Sequence, residues 1–280
     1  MPEGDTLWRT ARTLERAISG RLVTRFETVL PKLARVDEDT PVAGRTVERV
    51  ESQGKWLVMR FSGGLILLTH MLMSGSWHIY RPGERWKRPR LEMRIAIETA
   101  EITAVAFLVP MAEFHTEETL ARRLGSLGPK VLEQGFDAEL AIANLRSRPE
   151  MEIGVALMSQ RLIAGLGNIF KSEVCFAAGV NPFRRVDSVT DAEMQALMAA
   201  SVKLMRANVT AGAGGAIATY FGLRRTTGRS DPEESLWVYH RTGRPCRKCG
   251  TPIEWRRHGA DGRSSFWCPV CQGAAGGSRG

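Results

Sequence analysis

Cys246, Cys249, Cys268 and Cys271 form two Cys-x2-Cys pairs with eighteen residues between them. Each pair can place both sulfurs on one side of a tight turn. Two such turns can close a tetrahedral four-thiolate site, which suits zinc. Between them, Ile253 and Trp255 precede a turn at His258–Gly262, and Phe266 and Trp267 follow it, the pattern of a hairpin. A module of fewer than about 40 residues buries too little to fold alone, so one structural Zn2+ would supply its folding energy. Four thiolates leave the ion no open position for catalysis. Disulfides and a redox Cys-x2-Cys are the competing readings. Disulfides suit exported chains, and the start Met1–Asp5 lacks the basic and apolar regions of a secretory signal. The fifth cysteine, Cys175, falls in a helical run and reads as a small buried hydrophobe.

A second reagent is less obvious. Loss of Met1 would leave Pro2 as a free secondary amine. An α-amine of pKa near 7.8 is roughly 30% neutral at pH 7.4, against about 0.1% for an ordinary lysine. The positive end of a following helix disfavours its protonation further. Condensed with an aldehyde, it gives a permanently cationic iminium, a good electron sink, and Glu3 beside it can move protons. The plain alternative is an unstructured leader.

These groups need a frame. Residues 5–19 read as an amphipathic helix, with Leu7, Ala11, Leu14 and Ile18 on one face, Asp5 as its cap and Gly20 as its stop. Short β runs follow: Val23–Val29, Val47–Val50, Trp56–Phe61, Leu65–Thr69, Ser76–Tyr80, Leu91–Glu98 and Ile102–Leu108. Six or seven strands at that spacing predict an antiparallel sandwich or barrel. Helical patterns return at Glu117–Leu124, Ala138–Arg146, Ile153–Arg161, Ile169–Ala178 and Ala192–Ala211. Ala211–Gly215 and Arg224–Glu234 read together as a mobile loop. The expected organisation is a β-sandwich at 2–116, a hinge at 117–135, a helical domain at 136–235, a zinc ribbon at 236–272 and a disordered tail at 273–280.

With 280 residues, 43% of them hydrophobic and 25% charged, the chain has an ordinary globular composition and is neither collagenous nor disordered. The apolar run at Leu65–Leu68 is far short of the ~18 residues of a membrane span. A net charge of +9 invites a polyanionic partner without identifying one. Gly165-x-Gly167-Asn168, between two helical patterns, can expose N–H groups at a helix start as a phosphate cradle, or be a plain interhelical turn. Met73, with Leu72 beside it in the run His70–Gly75, can fill the hole that an extruded base leaves, or be a core methionine. His70 reads as a hydrogen-bonder that shapes this run.

Taken together, the Pro2-Glu3-Gly4 start, Gln53-Gly54-Lys55-Trp56, Thr69-His70-Met71-Leu72-Met73-Ser74-Gly75, Ala164-Gly165-Leu166-Gly167-Asn168-Ile169 and the cysteine ribbon occur in a telling order. In that order the chain resembles the bacterial family of formamidopyrimidine-DNA glycosylase and endonuclease VIII, over residues 2–272. The resemblance implies an α+β fold of two domains. The first is an N-terminal β-sandwich with an N-terminal helix. The second is a C-terminal helical domain with a helix–two-turns–helix element and a four-cysteine zinc β-ribbon. It implies a bifunctional glycosylase and AP lyase of base excision repair. Pro2 would be the nucleophile at C1′ of a damaged nucleotide, Glu3 the acid/base, and Lys55 a cation at the sugar and phosphate. Arg263, in Gly262-Arg263-Ser264, matches the family's ribbon arginine, a phosphate fork grouped with the catalytic set. Asn168 would hold a phosphate next to the lesion, Lys171 would add another contact, and Glu173 matches a carboxylate near the site.

The sequence also departs from the family. The Asp-Pro-Arg-Arg-Phe-Gly run of formamidopyrimidine glycosylases has no equivalent in Val105-Ala106-Phe107-Leu108-Val109-Pro110. Its absence favours the endonuclease VIII branch, similar to actinobacterial homologues, and oxidised pyrimidines as substrates. Asp5-Thr6 replaces the usual Pro-Glu, His240 a usual glycine, and 211–236 differs from well-studied lids. The expected partner is damaged DNA, duplex or single-stranded, bound by a monomer that is cytoplasmic and nucleoid-associated. The alternatives are a zinc-ribbon DNA-binding protein whose chemistry has decayed, and a glycosylase specific for 8-oxoguanine and formamidopyrimidines.

Overall fold

The computed structural model describes residues 2–210 and 224–273. The expected loose stretch Ala211–Gly215 and the tail from 274 onward lie outside the described residues. The chain divides into two compact units, whose described parts are 2–126 (the β unit) and 127–210 with 224–273 (the helical unit).

The β unit opens with α1 (Gly4–Ile18), followed by β1 (Arg25–Thr28), α2 (Pro31–Asp39), β2 (Val47–Gln53), β3 (Trp56–Phe61), β4 (Leu65–His70) and β5 (Ser76–Tyr80). It closes with β6 (Met93–Glu98), β7 (Thr103–Phe107), β8 (Met111–His115) and α3 (Glu117–Leu124). Two antiparallel four-stranded sheets, ordered β1-β6-β7-β5 and β2-β3-β4-β8, form a sandwich. Leu57, Met59 and Leu67 from one sheet meet Trp77, Ile95 and Ala104 from the other in a single core. Leu7, Ala11, Leu14 and Ile18 join that core from α1, since steps of three and four residues put them on one face.

Three expectations need correction in this unit. Its described residues form eight strands, because Met111–His115 pairs with β4 as an edge strand after Pro110. Pro31–Asp39 is a helix, with Pro31 in the first turn, where its missing N–H costs nothing. Asp5 does not cap α1: the N-cap is Glu3, whose side chain makes no capping bond, and Asp5 lies inside the first turn facing Arg9 at 3.3 Å.

The helical unit contains α4 (Ala138–Arg146), α5 (Ile153–Ala156), α6 (Asn168–Ala177) and α7 (Asp191–Thr210) around a core that includes Ile163, Phe170, Val174 and Leu197. A helix expected across 153–161 stops at Ala156. Beyond it the chain turns so that the Gln160 side chain accepts from Gly165 N and donates to the Leu166 carbonyl, closing the glycine turn on itself. The ribbon, β9 (Glu254–His258) paired with β10 (Arg263–Trp267), packs through Phe266 and Val238 onto Phe176 of α6. Among the described residues no helix is long and apolar enough to cross a membrane.

Candidate functional site

The residues singled out by sequence fall into two groups, one in each unit. In the β unit, Pro2 and Glu3 are buried at the head of α1, Glu3 with 0% exposure. Asp5, Thr6, Arg9 and Thr10 are buried with them. A helix start lined by so many buried polar groups is the opposite of a solvated leader. Gln53 pairs directly with Trp56, so Gly54 and Lys55 form a two-residue hairpin turn. Gly54, at φ +62°, takes the first central position, which demands a positive φ. Lys55 therefore projects from a turn with no slack.

His70, at the end of β4, sets the next loop. Its Nδ1 accepts from the Leu72 N–H at 3.0 Å, and its ring meets Trp56 edge-on at 4.8 Å. Burial first, then the nearby charges of Lys55 and Arg123, lower its pKa to about 4. It is thus a neutral acceptor at physiological pH, the shaping role expected for it. Met71 is buried, and a side chain on Gly75 would strike the Met71 carbonyl. Between these anchors, Leu72 at φ +45° and Met73 project outward, 43% and 65% exposed. Met73 is thus not the core methionine of the plainer reading, and two large apolar side chains stand in water on a braced loop.

In the helical unit, Gly165 at φ +109° makes the turn, Gly167 is the N-cap of α6, and Asn168 is its first residue. The Lys171 ammonium donates to Asn168 Oδ1 at 2.7 Å and to the Ser264 carbonyl at 3.1 Å. An ammonium can only donate, so it fixes the amide oxygen inward and leaves Asn168 Nδ2 as the donor, 3.4 Å from the Tyr239 hydroxyl. Lys171 is only 1% exposed. It is turned inward between α6 and β10 and holds Asn168, where the sequence suggested an added phosphate contact.

Glu173 is buried on the same helix. With 0% exposure, it accepts backbone N–H bonds from Trp237 (2.8 Å), Val238 (2.9 Å) and Tyr239 (2.8 Å), and a hydroxyl bond from Thr226. It braces the approach to the ribbon. The described part of the expected mobile loop is fastened as well. Arg225 N donates to Asn208 Oδ1, Thr226 meets Glu173, and Thr226 N donates to the Ser235 carbonyl.

Arg263 begins β10, half-buried, opposite His258. His258 is held by Ser265 Oγ at 2.8 Å and stands 2.8 Å from a Glu152 carboxylate oxygen. Burial, with Lys171 and Arg256 nearby, lowers its pKa to about 3. Sequence reasoning passed over His258, Tyr239 and Ser264.

The four ribbon sulfurs lie within 4.8 Å of one another, with Cys246–Cys271 at 3.8 Å and Cys249–Cys268 at 3.4 Å. Four sulfurs ~2.3 Å from a common centre stand about 3.8 Å apart in a tetrahedron. The cysteines are therefore positioned to hold one metal ion, and none is in a disulfide.

Comparison with known proteins agrees with this picture in both units. Residues 1–110 match the formamidopyrimidine-DNA glycosylase N-terminal domain, and residues 127–219 its H2TH domain. A Streptomyces coelicolor protein named "Probable endonuclease 8 2" is 39% identical over 97% of this chain and 94% of its own length. The DNA-(apurinic or apyrimidinic site) lyase Nei2 of Mycolicibacterium smegmatis is 34% identical over 98% of this chain and all of its own. Among solved structures, the Lactococcus lactis Fpg in complex with DNA containing an abasic site superposes with a TM-score of 0.82. It covers 97% of this chain and 100% of that one at 20% identity, a likeness of fold.

Proposed function

The chain belongs to the formamidopyrimidine-DNA glycosylase and endonuclease 8 family, on its endonuclease 8 branch, and from that premise we propose how it acts as a DNA glycosylase and AP lyase of base excision repair. Oxidised pyrimidines and abasic sites are its substrates in this reading. The observation that carries it is the head of α1, where Pro2 and Glu3 are built into a buried polar start.

With Met1 removed, the Pro2 amine attacks C1′ of the extruded nucleotide. The glycosidic bond breaks, its electron pair leaves with the base, and the base takes up a proton. Glu3 and Lys55 move protons as the sugar ring opens to the iminium. Loss of a C2′ proton expels the 3′ phosphate, a second elimination expels the 5′ phosphate, and water frees the sugar remnant from Pro2. Leu72 and Met73 fill the vacated stack. Asn168 Nδ2 and the Arg263 guanidinium hold phosphates, which adds affinity without sequence information. Zinc is the ion that best suits four thiolates. It would be held by Cys246, Cys249, Cys268 and Cys271 and would supply folding energy to the ribbon. The enzyme works as a cytoplasmic monomer.

Borohydride trapping tests this reading. Protein lacking Met1, incubated with abasic-site DNA and NaBH4, should form a covalent complex that protein with its N-terminal amine blocked does not. If it binds the DNA and traps nothing, the lyase reading is wrong. Release of thymine glycol and 5-hydroxyuracil should exceed that of 8-oxoguanine opposite cytosine; the reverse order would overturn the pyrimidine assignment.

A further inference from the structure

The loop joining β5 to β6 is strongly cationic. Arg81, Arg85, Lys87, Arg88 and Arg90 fall within ten residues, and Glu84 is the only acid among them. Elsewhere on the β unit, Arg21, Arg25, Arg49 and Arg60 each meet a carboxylate. Inside the loop Arg88 is matched by Glu92 at 2.6 Å and Arg90 by Glu27 at 2.6 Å. Arg81, Arg85 and Lys87 are exposed, and no ion pair engages them among the described residues. The Glu84 carboxylate accepts instead from the backbone N–H of Arg81.

The loop is built, not slack. Trp86 stacks on Tyr80 at 6.2 Å and meets Phe107 edge-on at 5.7 Å, and the Lys87 N–H donates to the Tyr80 hydroxyl at 3.1 Å. An open depression of about 710 Å³ lies against it, reaching Thr99 and Thr103 at the strand ends. Arg88 Nη1 reaches Ser76 Oγ at 3.4 Å, which puts the loop beside the first residue of β5, three positions after Met73. The end of the loop that carries Arg88 thus approaches the end of β5 that follows the His70–Gly75 run.

Holding three unmatched cations together on an anchored loop is unfavourable by itself and becomes favourable when a polyanion arrives. We propose that Arg81, Arg85 and Lys87 form a second phosphate-binding surface, which takes the backbone of the DNA flanking the lesion. The inference rests on the glycosylase reading for its choice of polyanion. Each cation that meets a phosphate releases counterions, so binding there depends on salt and not on sequence.

The test uses the full chain with its metal, as wild type and as R81Q/R85Q/K87Q, which removes charge from exposed positions. Affinity for a duplex carrying a tetrahydrofuran abasic analogue is measured by anisotropy from about 50 to 300 mM KCl. The slope of log K against log salt should fall by about 0.9 for each phosphate that is no longer neutralised, so by roughly 2–3 in the variant. Shortening the duplex flank should weaken wild type and leave the variant nearly unaffected. Borohydride trapping at saturating DNA should be unchanged, because none of the three takes part in the chemistry. An unaltered salt slope in a variant that still traps would overturn the proposal, whatever other acidic partner that surface meets. Failure of the wild type to trap would instead overturn the lyase reading.

Discussion

In the β unit, the groups at the head of α1 sit on a large apolar core fed by both sheets, and the large apolar side chains its 70–75 loop leaves in water are Leu72 and Met73. In the helical unit the arrangement is inverted. Lys171 and Glu173, two residues apart on α6, are both buried, and their partners are mostly backbone groups some 60 to 90 residues away in sequence. One unit positions its site by strand register and hydrophobic packing; the other does so by buried charge and a thiolate cluster. Hydrophobic packing tolerates small losses, whereas a buried charge that loses its partner keeps its full desolvation cost. The two units should therefore fail in different ways.

Metal removal is the strongest way to separate them. Chelation, or Cys268→Ser, should unfold the ribbon and take with it Arg263 and the Ser264 carbonyl that steadies Lys171. Affinity for abasic DNA should fall on the order of 100-fold, since an ion held by the four cysteines would supply the ribbon's folding energy. Amide exchange in β2–β4 should stay as slow as before, and loss of protection there would show that the units are not independently held. Glu173→Gln should rank next. It replaces an acceptor of three N–H bonds with a group that must point an NH2 at donors, costing about 2–4 kcal/mol by urea unfolding of the helical unit. A cost below about 1 kcal/mol would mean the brace is dispensable.

Leu72→Ala with Met73→Ala probes the inverted case. Both side chains are exposed, so stability should change by less than about 0.5 kcal/mol. Single-turnover base release should fall roughly tenfold if these side chains fill the vacated stack as proposed. A stability loss without a rate loss would return these residues to a packing role. The remaining test is pH. His70 and His78 have pKa values lowered to about 4, each by burial first and nearby cations second, and His258 is lowered to about 3. Between about pH 6.5 and these values the unfolded chain binds more protons than the folded one. Stability should thus be complete above about pH 6.5 and decline as pH falls through that window. His78→Gln should flatten the decline for the β unit alone, and thermal unfolding from pH 7 to 4 reads it directly.

Much of the β unit was legible because its signals are local. Trp56–Phe61 and Ser76–Tyr80 are strands to the residue, and Gly54-Lys55 sits in the two-residue turn its spacing allows. The strand Met111–His115 escaped because it follows a proline, and its alternation of Met, Ala, Glu, Phe and His is weakly apolar. The Cys-x2-Cys pairs were equally plain, since metal geometry constrains neighbours in sequence. The burial of Lys171 and Glu173 was not legible, for the opposite reason. A charge on a helix reads as solvated, and nothing near either residue announces that Ser264 or the 237–239 backbone will fold over it. The positive φ of Leu72 was hidden too, because it follows from the His70 ring and from the close approach of Gly75 to Met71.

The His70–Leu72 hydrogen bond has a kinetic consequence. A loop that must first find its shape adds a search step to every encounter with DNA. If Leu72 and Met73 fill the vacated stack as proposed, they are already aimed, and each sampled base pair would be probed as quickly as the protein moves along the duplex. Loosening that bond, with His70→Ala, should leave tight binding to a pre-formed abasic site largely intact and slow the discovery of damaged bases still in the stack. The histidine would then govern the speed of inspection rather than the strength of the grip.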